Sequence, residues 1–202
     1  MTSESPTALP YQATGPASGW IKRWTHLLPR GATVLDIACG HGRHMKWFAE
    51  KGHVVTGVDR SVEAIEAANK FGTAVLADIE NDPWPLQTNG QVRRFDTVVV
   101  AKYLWRPLFP IIVKSLASGG ILIYETFSQG NETVGKPARS DFLLRPAELL
   151  LAFSGLRIIA FEEGFLENPP RFVQRIVAAK LDAELDSART PRRHALDTLH
   201  SR

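Results

Sequence analysis

The sequence predicts an α/β fold of three layers, in which a mostly parallel sheet of seven strands, the last of them antiparallel, is covered by helices on both faces. Three observations carry that expectation. Short apolar runs alternate with helical patterns through most of the 202 residues, the pattern of a parallel sheet with right-handed crossovers. Val34 to Asp59 reads as strand, small-residue turn, amphipathic helix and second strand, a βαβ unit. The last two apolar runs are joined only by "LENPPR". That is too short for a helical crossover, so they are antiparallel neighbours.

The elements follow in order. Residues 1–18, rich in Ser, Thr, Pro, Ala and Gly, read as a flexible leader. In "GWIKRWTHLLP", Trp20, Ile21, Trp24, Leu27 and Leu28 recur at helical spacing and predict a short docked helix. Trp20 and Trp24 are either a lid over a pocket or simple packing. "ATVLDIA" is a buried strand, "GRHMKWFAEKG" a helix stopped by Gly52, and "HVVTGVD" a second strand. Ser61 is the expected N-cap, with Glu63 in the first turn, of a helix running to Gly72. "AVLAD" is the third strand, "ENDPWPLQTNGQ" a loop, "FDTVVVA" the fourth strand, and "PLFPIIVKSLA" a helix ended by Gly119 and Gly120. "ILIYETF" is the fifth strand. Residues 128–145 form a long polar insertion carrying Lys136, Arg139 and Asp141, beside the carboxyl edge where such sheets bind ligands. A helix at "PAELLLAF" and the strands "LRIIAFEEGF" and "FVQRIVAAKL" close residues 19–182 as one domain, leaving 183–202 as a basic tail.

Composition is that of an ordinary globular chain, 44% hydrophobic and 22% charged. "MTSESPTALP" has neither a basic leader nor an apolar segment, and no apolar run approaches the roughly 20 residues that span a bilayer. A cytoplasmic protein with no membrane partner is expected. The single cysteine, Cys39, has no partner for a disulfide or a CxxC metal site. His41 and His44 lack further ligands at metal spacing, so no metal is expected; His41 reads as a loop residue and His44 as helix surface. The net charge of +3 is matched by residues 188–202 of the tail, where Arg189, Arg192, Arg193 and Arg202 face one acid, Asp197. That tail reads as solvated, with an RNA-binding arm as the alternative.

The turn after the first strand distinguishes two classes of nucleotide ligand. A dinucleotide fingerprint G-x-G-x-x-G needs a third small residue. Starting from Gly40 and Gly42 that position is Met45, and starting from Ala38 and Gly40 it is Arg43. The stretch present is Asp36-Ile-Ala38-Cys39-Gly40-His41-Gly42. It resembles the first motif of the class I S-adenosylmethionine-dependent methyltransferases, an acid followed by G-x-G-x-G, with Ala38 in place of the first glycine. A carboxylate at Asp36 suits a cationic ligand, and glycines let the backbone approach it closely. Asp59 ends the second strand and Asp78 the third, with Ile79 beside it.

The resemblance covers about residues 20–180 and implies a Rossmann-like methyltransferase fold with S-adenosylmethionine as cofactor and S-adenosylhomocysteine as product. It implies cofactor contacts from Asp36, Ala38, Cys39, Gly40, His41, Arg43, Asp59, Arg60, Asp78, Ile79 and Ala101. Asp59 is expected on the ribose hydroxyls, Asp78 on the adenine amino group, Ile79 against the ring, and Arg43 near the methionine carboxylate. "VVVAKYLWRPLFP" and "GGILIYETF" resemble the small bacterial branch related to tellurite-resistance methyltransferases. The segment 101–106 is expected beside the reactive methyl.

Tyr103 and Glu125 are the candidate catalytic groups, each with a packing or pairing role as the alternative. Arg106 and Arg139 are the candidate contacts to an anionic substrate, with a surface position before Pro107 as the alternative for Arg106. The Pro-Pro-aromatic signature of adenine and glutamine amino-group methylation is absent, as is a cysteine placed for pyrimidine C5 methylation. A small-molecule acceptor is expected. The alternatives are an RNA or protein acceptor, a catalytically silent partner subunit that binds the cofactor, and a nicotinamide oxidoreductase. Oligomeric state is not legible.

Overall fold

The apolar run Thr33–Ile37 forms β1 at the centre of the sheet, flanked by β2 (Val54–Asp59) and by β4 (Phe95–Ala101), both parallel to it. This computed structural model describes residues 15–182 and 192–197. β3 (Thr73–Leu76) lies outside β2, and β5 (Leu116–Phe127) outside β4, again parallel. β7 (Arg171–Ala179) then pairs antiparallel with both β5 and β6 (Arg157–Leu166). The order is 3-2-1-4-5-7-6, and β7, the last strand, is alone in being reversed, as its short connection to β6 predicts. β2 and β4 leave β1 on opposite sides, so the carboxyl ends of β1 and β4 open a crevice where the chain switches direction.

Side chains alternate along each strand, so two cores form. Leu35, Ile37, Val98, Val100, Leu122 and Tyr124 face one layer, and Val34, Val99, Ile121 and Ile123 the other. The second layer is covered by α1 (Gly19–Trp24) and α2 (Arg43–Ala49). Six residues cannot hold a helix in isolation. Burial of Trp20, Ile21 and Trp24, each 2% exposed or less, holds α1 in place. Both tryptophans are therefore core packing and not a lid. The leader's last residues belong to the fold, since Ala17 is buried and the Ser18 hydroxyl caps α1. Residues 1–14 of the expected leader lie outside the described residues, as does most of the tail. Its described part meets the body where the Ala195 carbonyl sits 2.9 Å from His26 Nε2.

Several boundaries differ from expectation. α3 (Val62–Ala68) is capped by Ser61 as predicted but ends before Gly72. The "ENDPWPLQTNGQ" loop contains a small hairpin, Gln87–Thr88 against Gln91–Val92, turned by Asn89 and Gly90, both at positive φ. α4 (Phe109–Lys114) stops short of Gly119 because Leu116, fully buried, already pairs with Phe95 in the sheet. α5 (Glu148–Ala152) precedes β6.

The insertion is a packed cover. Ser128 bridges Leu144, the Gln129 N–H donates to the Leu144 carbonyl at 2.9 Å, and Leu143 and Leu144 are buried.

Candidate active site

A cleft of about 450 Å³ opens at the carboxyl edge, with Ala38, Asp59, Arg60, Asp78, Ile79 and Tyr103 among its lining residues. The turn after β1 shapes one wall. Ala38, Gly40 and Gly42 have φ of 54°, 54° and 77°, an alternating left-handed backbone. Gly42 is further constrained by packing: a Cβ there would stand 2.9 Å from the Ala68 Cα of α3. Ala38 adopts the same left-handed conformation with a side chain, at a cost of about 1–2 kcal/mol.

Asp59 joins the two βα turns. Its Oδ2 accepts the Gly40 N–H at 2.8 Å and its Oδ1 accepts the Ser61 N–H at 3.0 Å. Each oxygen has a second lone pair to offer into the cleft. Asp78 accepts from the Glu80 N–H at 3.0 Å and the Asn81 side-chain amide at 2.9 Å. The Asn81 bond first, then the Glu80 bond, hold its carboxyl below the usual range.

Asp36 sits behind the cleft, 1% exposed. Its Oδ2 lies 3.8 Å from His44 Nδ1 and has no hydrogen-bond partner. Burial pushes the Asp36 carboxyl up to about 8, with Arg43 opposing and Asp59 adding to the shift. His44 is 3% exposed, which corrects its expected place on the helix surface. Burial, Arg43 and Lys102 together push its imidazole down to about 3. Cys39 is a buried turn residue whose N–H donates to the Val58 carbonyl. Gly57 leaves the room it needs, since a Cβ there would meet Cys39 and Met45. Ala101 ends β4, paired with Glu125.

Other expected residues lie away from the cleft. His41 and Arg43 line a second groove of about 530 Å³ between α2, α3 and residues 15–17, and Arg43 Nη1 donates to the Pro16 carbonyl at 3.4 Å. Arg106, expected on substrate, is turned to the cover instead. Its guanidinium grips Glu148 at 2.6 and 2.9 Å and donates to the Asp141 and Leu143 carbonyls, both at 2.9 Å. Arg139 is exposed and paired with Asp141 at 2.9 Å.

The two expected catalytic groups also have partners. The Tyr103 hydroxyl donates to Glu80 Oε1 at 3.2 Å, which aims the ring at the Asp78 side of the cleft. Burial, then the Glu80 charge, raises the phenol's pKa. Glu125, 5% exposed, accepts the Ser18 hydroxyl at 2.7 Å and lies 3.5 Å from Arg175. Its alternative role as a paired acid is the one the contacts favour.

Sequence reasoning did not single out Lys102, Glu80, Thr126 or Phe127, nor Phe142 of the insertion, all of which line the cleft. Lys102 takes a left-handed φ of 57°. No residue pattern announces a lysine in that conformation. Among the described residues no helix is long and apolar enough to cross a membrane, and no three metal-ligating side chains converge.

Comparison with known proteins agrees with this geometry. The methyltransferase-domain family matches residues 34–120, the segment that builds β1 to the start of β5. A tRNA U34 carboxymethyltransferase of Pseudoalteromonas translucida is 29% identical over 167 residues, covering 73% of this chain and 50% of that protein. The chain spans about half the length of the curated relatives it matches. Among solved structures, a TehB-like SAM-dependent methyltransferase from Corynebacterium glutamicum superposes with a TM-score of 0.61 at 22% identity, over 83% of this chain and 90% of that one. TehB from Haemophilus influenzae gives 0.60 at 19% identity, over 74% and 57%. With its strand order, its left-handed turn and the match of residues 34–120 to the methyltransferase-domain family, the chain has the fold of the class I S-adenosylmethionine-dependent methyltransferases and is structurally close to the TehB-like ones.

Proposed function

We propose that this chain transfers a methyl group from S-adenosylmethionine to a small-molecule acceptor. The observation that carries the reading is the convergence of Asp59, Asp78 and Ile79 on one cleft that a packed insertion covers. The residues fit the cofactor. Asp59 has lone pairs for two ribose hydroxyls, and Ile79 offers an apolar contact for a purine, with Tyr103 from the facing side. Asp36 is a buried carboxyl with an orphaned oxygen behind the turn, and a cationic ligand nearby would favour its ionised form. Bound there, the cofactor supplies a methyl on a positively charged sulfur, a good leaving group.

The protein's contribution is then alignment and exclusion of water. Tyr103 and Glu125 are both engaged by neighbours, so neither is assigned proton transfer in this reading. Glu125 instead ties the start of α1, through Ser18, to the end of β5. The free thiol of Cys39 fits a reducing, cytoplasmic setting.

An RNA acceptor is the second reading. It is favoured by the relative named for tRNA and by Lys22, Arg43, Lys46 and Lys70 in the second groove. Calorimetric titration with S-adenosylhomocysteine, with NADH as control, tests the first point. Binding of the former alone, weakened about tenfold to a hundredfold in Asp59→Ala, is expected from the loss of charge-assisted hydrogen bonds. Binding of NADH alone would return the fold to the dehydrogenases. Salt-dependent RNA binding that Lys46→Ala and Lys70→Ala abolish would favour the second reading.

A further inference from the structure

The second groove suits an anion with a flat apolar body, whatever the cleft beside it does. It lies between α1, α2, α3 and the residues 15–17 that lead into α1, and its volume of about 530 Å³ is ample for a ligand of nucleotide size. Four cations line it, Lys22, Arg43, Lys46 and Lys70; among the described residues one acid does, Glu50. Glu50 meets Lys46 at 3.8 Å with both side chains exposed, a contact too weak to quench the excess. Ring and carbonyl neighbours leave the charge of Lys22 and Arg43 intact. The Trp47 indole is fixed by its N–H, which donates to the Thr25 hydroxyl at 2.9 Å, and that hydroxyl donates in turn to the Ile21 carbonyl at 2.8 Å. Lys22 Nζ stands 5.1 Å from the centre of this ring, and Lys51 Nζ 4.3 Å. A ring attracts an ammonium through its quadrupole and neutralises none of its charge. Arg43 donates to the neutral Pro16 carbonyl.

The rest of the wall is apolar, with Pro16, Ala67 and Phe71. Phe71 is held against the cofactor turn, since a Cβ added at Gly42 would stand 3.2 Å from its ring. The cations reach the groove from different elements, Lys22 from α1, Arg43 and Lys46 from α2, and Lys70 from just beyond α3. An anion that several of them share must offer more than one charge and more than two acceptor atoms. A phosphate ester does, with about two negative charges near neutral pH and three acceptor oxygens. A volume of this size takes one nucleotide and not a run of them. We propose that the groove is a second ligand site, for a free nucleoside monophosphate or a phosphate ester of like size, with its ring on the Phe71 wall and its phosphate among the lysines. His41 and Arg43 line this groove and Ala38 of the same turn lines the cleft, so the two cavities share one turn and the cleft is kept filled in the test.

The test is calorimetric titration of the S-adenosylhomocysteine-saturated protein with uridine monophosphate, uridine and inorganic phosphate. The monophosphate is expected to bind about tenfold more tightly than either of the others. Lys46 and Lys70 are exposed, so their replacement leaves the fold intact. Lys46→Met combined with Lys70→Met removes the advantage of the monophosphate over uridine. Glu50→Gln, which deletes the acid, raises affinity for the monophosphate about threefold. S-adenosylhomocysteine itself binds both variants within about twofold of wild type. Equal binding of monophosphate and uridine, or binding of neither, overturns the inference and leaves the cofactor reading standing. Loss of S-adenosylhomocysteine affinity in the double lysine variant also overturns it, by assigning the groove to the cofactor. Decauridylate that displaces the monophosphate and binds more than about a hundredfold more tightly overturns it in favour of an RNA strand.

Discussion

Asp36 and His44 illustrate how a single buried pair sets pH behaviour. The unfolded chain titrates these groups near 3.8 and 6.5, the folded protein near 8 and 3. Between about 3.8 and 6.5 the folded Asp36 holds a proton that the unfolded chain lacks, and the unfolded His44 holds one that the folded protein lacks. The two contributions offset. From 6.5 to 8 only Asp36 differs; the folded state binds the extra proton, and stability falls as pH rises. The melting temperature of the wild type is therefore expected to drop between pH 6.5 and 8, and that of Asp36→Asn to stay level. A level wild-type profile would mean that Asp36 is ionised in the folded protein.

Asp36, Asp59 and Asp78 were legible because apolar strand runs end on them. His44 was not, although a signal existed. His44 and Phe48 are four residues apart, and with Met45 they form the buried stripe of α2. Reading the stripe would have turned His44 inward. Lys102 had no such signal, because its conformation is imposed by the pairing of two strands and not by its own chemistry.

At the scale of elements, the insertion is held by contacts remote in sequence. Arg106 and Glu148 are 42 positions apart, which is why Arg106 read as a substrate contact when seen alone. Arg106→Met removes the fork to Glu148 and two carbonyl contacts, an expected loss of about 1–2 kcal/mol given its partial exposure. Amide exchange in residues 138–145 should quicken, with S-adenosylhomocysteine affinity unchanged because Arg106 lies outside the cofactor side of the cleft. A variant that loses cofactor affinity while keeping exchange protection would restore Arg106 to the site. Element boundaries failed for equally physical reasons. The sheet claimed Leu116 from the helix before it, and the Asn89-Gly90 pair, a strong hairpin signal, was absorbed into a loop reading.

For the whole molecule, strand alternation and one short connection were enough to anticipate a mostly parallel sheet of seven strands with β7 reversed, while the strand order was not legible. Such patterns are repeated along the chain, so a misplaced boundary does not disturb the fold class. The acceptor side was the least legible part, because it is assembled from the ends of β4 and β5 and a cover whose closure depends on long-range pairs. It is also the part in which a shared scaffold says least about chemistry.

We propose that one cleft holds adenosine on the Asp59 and Asp78 side and presents the sulfur toward Lys102. A crystal structure of the S-adenosylhomocysteine complex tests it most directly. Both ribose hydroxyls are expected on the Asp59 carboxylate, the purine against Ile79, and the sulfur at the inner end beside Lys102 and Thr126. Ligand seated in the groove between α2 and α3, or bound with its sulfur at the Asp78 end, would contradict it.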